Sequence, residues 1–223
     1  MFVADLKRLT VVALLVQGVF GCTTHTGVFP LKQESTYQLS IGGPIVEVFD
    51  VDIPLPYLTA GIQKGINDKT NVFANYHLLA QLYRITGMDM GVSWFPLEGQ
   101  GWRPTMGVSL SGFMFFSTRP DVDERFFGYP VVSSSFSWEL DQAVIAVGSD
   151  SALLLENQDF DPQAKQQVHS LFANITVPVG GYRLTSEIKW QGLNVRSDQL
   201  AVSYVPVGHQ GALGVNFALS KAF

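Results

Sequence analysis

The chain has 223 residues, of which 47% are hydrophobic and only 15% charged, and its formal net charge is −5. Charged residues reach about a quarter of an ordinary soluble domain, so this composition is unusually apolar. Acidic balance without a basic stripe argues against a nucleic-acid partner. No run approaches the roughly 18 apolar residues of a membrane helix, so the apolar surface belongs either to a large core or to strands facing lipid.

In chain order, the first element is an export signal over residues 1–21. Lys7 and Arg8 precede an apolar run from Leu9 to Phe20, the length of a secretory h-region. Val19-Phe20-Gly21-Cys22 resembles the lipobox of bacterial lipoproteins, with Val at −3 and Gly at −1 in place and Phe20 departing from the small residue usual at −2. Cys22 is the sole cysteine, and an odd cysteine in an exported protein calls for an explanation. Acylation supplies one; the alternative is cleavage after Gly21 with a stray thiol. The resemblance implies a covalent lipid on Cys22, the lipoprotein-sorting machinery as a partner, and delivery to the outer membrane because Thr23, not Asp, follows. Residues 22–35, polar with Gly27 and Pro30, read as a lipid-anchored tether that leaves His25 in solvent.

Residues 36–223 form one domain of about ten strands with period-two patterning. The candidates are Tyr37 to Gly42, Tyr57 to Ile66, Val72 to Leu78, Thr86 to Phe95, Thr105 to Phe116, Val131 to Trp138, Ala143 to Ser149, Leu171 to Val177, Tyr182 to Trp190 and Leu213 to Phe223. In the last, Leu213, Val215, Phe217 and Leu219 alternate with Gly214, Asn216, Ala218 and Ser220. Short turns fall near Asn67, Gly99, Asp141 and Gly180, and long connections near residues 43–54, 79–85, 117–128, 156–167 and 192–210. Short turns on one rim and long loops on the other, with even strand number, is the pattern of an antiparallel up-and-down transmembrane β-barrel. Trp94, Phe95, Trp102, Trp138, Tyr182 and Phe223 beside the short turns, and Tyr57, Phe116 and Trp190 beside the loops, suit two interfacial girdles.

The closing strand with its terminal Phe223, and the hairpin Gly61-Ile-Gln-Lys-Gly-Ile-Asn-Asp-Lys-Thr-Asn-Val72, resemble those of bacterial outer-membrane barrels. The resemblance implies outer-membrane lipid and the barrel-assembly machinery as partners. The competing architecture is a lipid-tethered periplasmic β-sandwich whose greasy face is a core.

In a barrel, the polar face places Gln63, Asn75, His77, Asp89, Arg183, Glu187, Lys189 and Asn216 in the lumen among Gly and Ser. Counting from the short turns puts His77, Asp89 and Ser111 at one height on consecutive strands. A catalytic triad is not expected there, since Asp89 would fall in the middle, whereas a relay needs its His between nucleophile and acid. The expected role is a hydrogen-bonded lumen network with Arg183, Glu187 and Lys189 among its ion pairs. His169 followed directly by Ser170 lacks the His-x-Ser spacing of barrel deacylases, and Asp159 and Asp161 read as a solvated loop. No metal set, phosphate loop or nucleotide fingerprint occurs, so no metal and no cofactor beyond the lipid is expected. The leading function is a non-enzymatic scaffold or surface-binding protein acting through its long loops, its ligand undefined. The alternatives are a narrow pore and an outer-membrane lipid hydrolase.

Overall fold

The computed structural model describes residues 25–48, 51–54, 56–118, 126–153, 167–199 and 204–223. The export signal, Cys22 and the Asp159/Asp161 loop lie outside the described residues. The strands are β1 (Ser35–Val48), β2 (Val51–Pro54), β3 (Tyr57–Asn67), β4 (Thr70–His77), β5 (Ile85–Leu97), β6 (Thr105–Ser117), β7 (Phe126–Leu140), β8 (Ala143–Leu153), β9 (Gln167–Val179), β10 (Tyr182–Arg196) and β11 (Gln210–Ala222). Each stave from β3 to β11 pairs with its sequence neighbour, and β1 pairs with both β3 and β11. β2 pairs with the far end of β1, Ile45–Val48, so it is a flap on the rim. The wall is a closed antiparallel barrel of ten staves.

Side-chain alternation decides which face is which. In β6, Thr105, Gly107, Ser109, Ser111, Phe113 and Phe115 are buried inside, while Val108, Leu110 and Phe116 point outward. The outward set continues around the wall through Val92, Val132, Ile145, Ile175, Ile188 and Phe217, all exposed. A belt of that extent far exceeds the few hundred Å² of contiguous apolar patch a protein tolerates in water; it is the lipid face of a transmembrane barrel. The sandwich alternative falls here, because the sheet closes on itself and its greasy face lies outside.

Short turns at Asp68–Lys69, residues 98–104, Asp141–Gln142 and Gly180–Gly181 share one rim with the start of β1 and the end of β11, and the long connections share the other. Several staves run past their expected ends: β1 to Val48, β8 to Leu153 and β10 to Arg196. At these ends backbone pairing continues after the hydrophobic alternation has stopped. β1 also loses its alternation at Gly42-Gly43-Pro44, where Gly42 takes φ 140°. Trp94, Trp102, Tyr182 and Phe223 are exposed at the short-turn rim, with Phe223 stacked on Tyr37 at 4.0 Å. Two girdle assignments are corrected: Phe95 is fully buried inside, and Tyr57 turns inward to His77, because both occupy inward positions of the alternation.

Leu110→Arg, on the lipid face near the middle of β6, is expected to lower unfolding free energy by about 2–4 kcal/mol. Lys221→Ala at the rim should stay within about 0.5 kcal/mol. Urea titration of protein refolded into vesicles measures both.

Candidate functional site

The interior is filled at three levels, beginning with the N-terminal segment. Residues 25–31 do not lie in solvent as a tether; they thread the lumen. Asn71 on β4 clamps their main chain, with Leu31 N–H donating to Asn71 Oδ1 at 3.1 Å and Asn71 Nδ2 donating to the Phe29 carbonyl at 2.8 Å. Asn75 Nδ2 donates to Thr26 Oγ1 at 3.3 Å. Gly27, at φ 78°, lies so close to Ser93 that a Cβ would overlap the serine hydroxyl. Val28 and Leu31 are buried. The chain leaves for β1 through Lys32 and Gln33, both at positive φ (48° and 71°), a costly backbone for residues other than glycine.

The segment's upper end meets a buried ionic cluster. His25 Nδ1 lies 3.2 Å from Asp150 Oδ1, its ring stacks on Phe172 at 4.2 Å, and its backbone N–H donates to Glu187 Oε2 at 3.0 Å. Lys189 Nζ is 2.6 Å from Asp150 Oδ2. Glu187 also accepts from Asn174 Nδ2 at 3.3 Å and Asn216 Nδ2 at 3.5 Å. Register explains the group, because Asn174 and Asn216 sit directly opposite Glu187 on the flanking staves. Arg183 stands apart from the expected network: it pairs with the half-exposed Glu34 at 3.0 Å and covers Phe29 at 5.8 Å. Asp150 was missed in the sequence because the Ala143–Ser149 strand stopped one residue short. Extending Val144, Ala146 and Gly148 by one more inward position finds it.

On the opposite wall a polar chain runs toward the loop rim. Asn75 Nδ2 donates to Asp89 Oδ1 at 2.8 Å, His77 Nε2 lies 3.0 Å from Asp89 Oδ2, and Tyr57 Oη lies 2.5 Å from His77 Nδ1. The structure therefore joins His77 to Asp89 but leaves Ser111 elsewhere, and Tyr57 takes the third place. Ser111 pairs with Gly91, one inward step below Asp89, whose own partner is Phe113. The antiparallel register of β5 and β6 sets Asp89 opposite Phe113, two residues beyond Ser111, and this is what misplaced the height count. Asp89 does lie on the stave between those of His77 and Ser111, as expected, while in the chain that includes Tyr57 the central member is His77. Tyr57 carried a signal in the sequence, since it shares the inward parity of Thr59, Gly61 and Gln63.

The loop half of the lumen is apolar, contrary to a uniformly small and polar interior. Ala80, Ile85, Phe113, Phe115, Tyr129, Val131, Ala152 and Val168 form one buried cluster. Phe113 and Tyr129 stack at 5.2 Å with parallel rings. Apart from Ala80, in the turn between β4 and β5, these residues extend the inward rows of β5 to β9 beyond the Gly and Ser positions. Elsewhere, His169 Nδ1 bonds Ser151 Oγ at 2.9 Å between neighbouring staves. Among the described residues, no three His, Cys, Asp or Glu side chains are grouped to hold a metal ion.

Closed wall, lipid-facing belt and filled lumen define a transmembrane β-barrel of the outer-membrane type. Solved structures of similar architecture include the outer-membrane protease OmpT of Escherichia coli, at 10% identity over 89% of this chain and 99% of that one, with a TM-score of 0.38. The translocator domain of the autotransporter NalP from Neisseria meningitidis matches at 12% identity over 99% of this chain and 96% of that one, TM-score 0.41. Ail, the attachment invasion locus protein of Yersinia pestis, matches at 8% identity over 86% of this chain and all of that one, TM-score 0.27. No protein-family model and no curated protein sequence matches the chain.

Removing one member of a buried ion pair leaves its partner uncompensated, at about 3–5 kcal/mol. Lys189→Met should therefore destabilise the barrel by that amount in urea titrations, and Asp150→Leu combined with Lys189→Met should recover most of it.

Proposed function

We propose that this protein is a plugged outer-membrane barrel, anchored by a lipid on Cys22, that serves as a non-conducting scaffold for its long loops. The observation that carries the reading is the filled interior. Residues 25–31 occupy the short-turn half of the lumen under the His25–Asp150 pair, and the aromatic cluster around Phe113 occupies the loop half. A conduit for ions needs a continuous wet path. Here the polar half holds a peptide segment clamped by its own main chain, and the other half is packed hydrocarbon. That arrangement favours the scaffold over the narrow pore. The connections between β4 and β5, β6 and β7, β8 and β9, and β10 and β11 all emerge at the rim opposite the short turns. In a bacterial outer membrane that rim is the cell surface, where the loops would meet a ligand.

Planar-bilayer recording tests this. The full chain is expected to give no conductance steps. A variant lacking residues 25–31 and carrying Phe113→Ala and Phe115→Ala is expected to conduct. Steady channel activity from the unaltered chain would sink the scaffold reading and restore the pore.

A further inference from the structure

We propose that Tyr57, His77 and Asp89 form a proton relay that makes the Tyr57 hydroxyl a nucleophile toward carboxylic esters at the loop rim of the barrel. The inference does not depend on whether the lumen conducts.

The geometry has the order that activation requires: nucleophile, base, orienting acid. Asp89 can only accept from His77, so the proton of the neutral imidazole sits on Nε2, 3.0 Å from Asp89 Oδ2. Nδ1 is thereby left as an acceptor, and the Tyr57 hydroxyl, 2.5 Å away, donates to it. Asn75 holds the far carboxylate oxygen at 2.8 Å and fixes its orientation. The base is built in, not incidental: a Cβ on Gly87 would stand 2.8 Å from the Phe115 ring and 3.0 Å from His77 Cβ, so the facing position on β5 is kept free of a side chain. Phe113 and Phe115 lie edge-on to the imidazole at 6.0 and 5.3 Å. With His77 and Asp89 exposed by only 1% and 2%, the imidazolium–carboxylate pair formed on proton transfer is shielded from water and correspondingly stronger.

Tyr57 is the half-buried member, placed as the first residue of β3 beside the last of β4, at the loop rim. Of the three it is the member with exposed surface, so a substrate would reach the relay from its side. The class follows from the surroundings. Phosphoryl transfer spreads charge over three oxygens and calls for Lys, Arg or metal partners, whereas the contacts described for the relay include the amide of Asn75 and the rings of Phe113 and Phe115. A neutral carbonyl suits that setting, and the adjacent Ile85–Phe115 cluster suits a hydrocarbon acyl chain.

The step balances without a redox partner. Tyr57 Oη bonds the ester carbonyl carbon while its proton passes to His77 Nδ1, and Asp89 stabilises the imidazolium. The tetrahedral intermediate then collapses, the bond to the alcohol oxygen breaks, and His77 returns the proton to the departing alkoxide. Water, deprotonated by His77, cleaves the tyrosyl ester and restores the phenol.

An aryl sulfonyl fluoride tests the nucleophile on the folded full chain in detergent, since attack by a phenol replaces fluoride with a stable aryl sulfonate that peptide mass spectrometry locates. Tyr37 and Tyr182, 56% and 40% exposed on the outer face, serve as internal standards. Tyr57 should be modified roughly a hundredfold faster than either, the scale of general-base assistance. His77→Gln and Asp89→Asn should reduce its rate to theirs. The same preparation should release nitrophenol from p-nitrophenyl decanoate, and Tyr57→Phe should abolish the release. Labelling of Tyr57 no faster than Tyr37 in the unaltered chain overturns the proposal without recourse to any variant. So does failure of the unaltered chain to release nitrophenol.

Discussion

Everything in this molecule depends on closing one sheet through β1 and β11. In hydrocarbon an unpaired backbone N–H or carbonyl costs several kcal/mol with no water to relieve it, so an open edge is not sustainable at membrane depth. Pairing from Thr36–Ala222 to Pro44–Gly214 removes both edges at once. Once the ring is closed, the strand period of two has no freedom left: every second residue must face lipid, and the residues between must share an enclosed interior. The apolar belt and the polar lumen are two consequences of one constraint.

The interior then poses a second problem. A ten-stave ring encloses more space than Gly and Ser rows can fill, and buried polar groups need partners. The barrel meets this by different means in its two halves. Toward the loops it uses side-chain volume, with Phe113, Phe115 and Tyr129 of the adjoining staves β6 and β7 packed in one cluster. Toward the short turns it borrows chain from its own N-terminus, and wall amides satisfy that segment's main chain. Asn71 recognises backbone atoms two residues apart, and Glu187 takes the His25 amide. The buried charges of Asp150, Glu187 and Lys189 sit where the two fillings meet.

The same layering gives the Tyr57–His77–Asp89 chain its character. It starts at the boundary between halves and runs to the loop rim, with Asn75 and Thr26 on its polar side and the aromatic rings on the other. A relay entirely within the polar half would be diluted among competing hydroxyls such as the Ser93–Ser109 pair. One entirely within the aromatic half would have nothing to orient its carboxylate. The boundary supplies both an oriented acid and a dry base.

The architecture was legible in the residues themselves because its cause is local. Alternation of apolar with small or polar side chains, broken by Asn67-Asp68, Asp141-Gln142 and Gly180-Gly181, determines strand, turn and sidedness without knowledge of any distant contact. The same parity sent His77, Asp89, Glu187, Lys189 and Asn216 to the interior. Height around the ring was not legible, because the register of each hairpin is set by its turn and by local bulges, which the alternation of side chains does not record. The β5–β6 register sets Phe113, not Ser111, opposite Asp89, while the β3–β4 register, with Thr59 opposite His77, brings Tyr57 within reach of the imidazole. Nor did the composition of residues 25–31 distinguish a tether from a plug. Polar and glycine-containing segments suit both, and what decides between them is a set of partners, Asn71, Asn75, Asp150 and Glu187, that come together only when the barrel is closed.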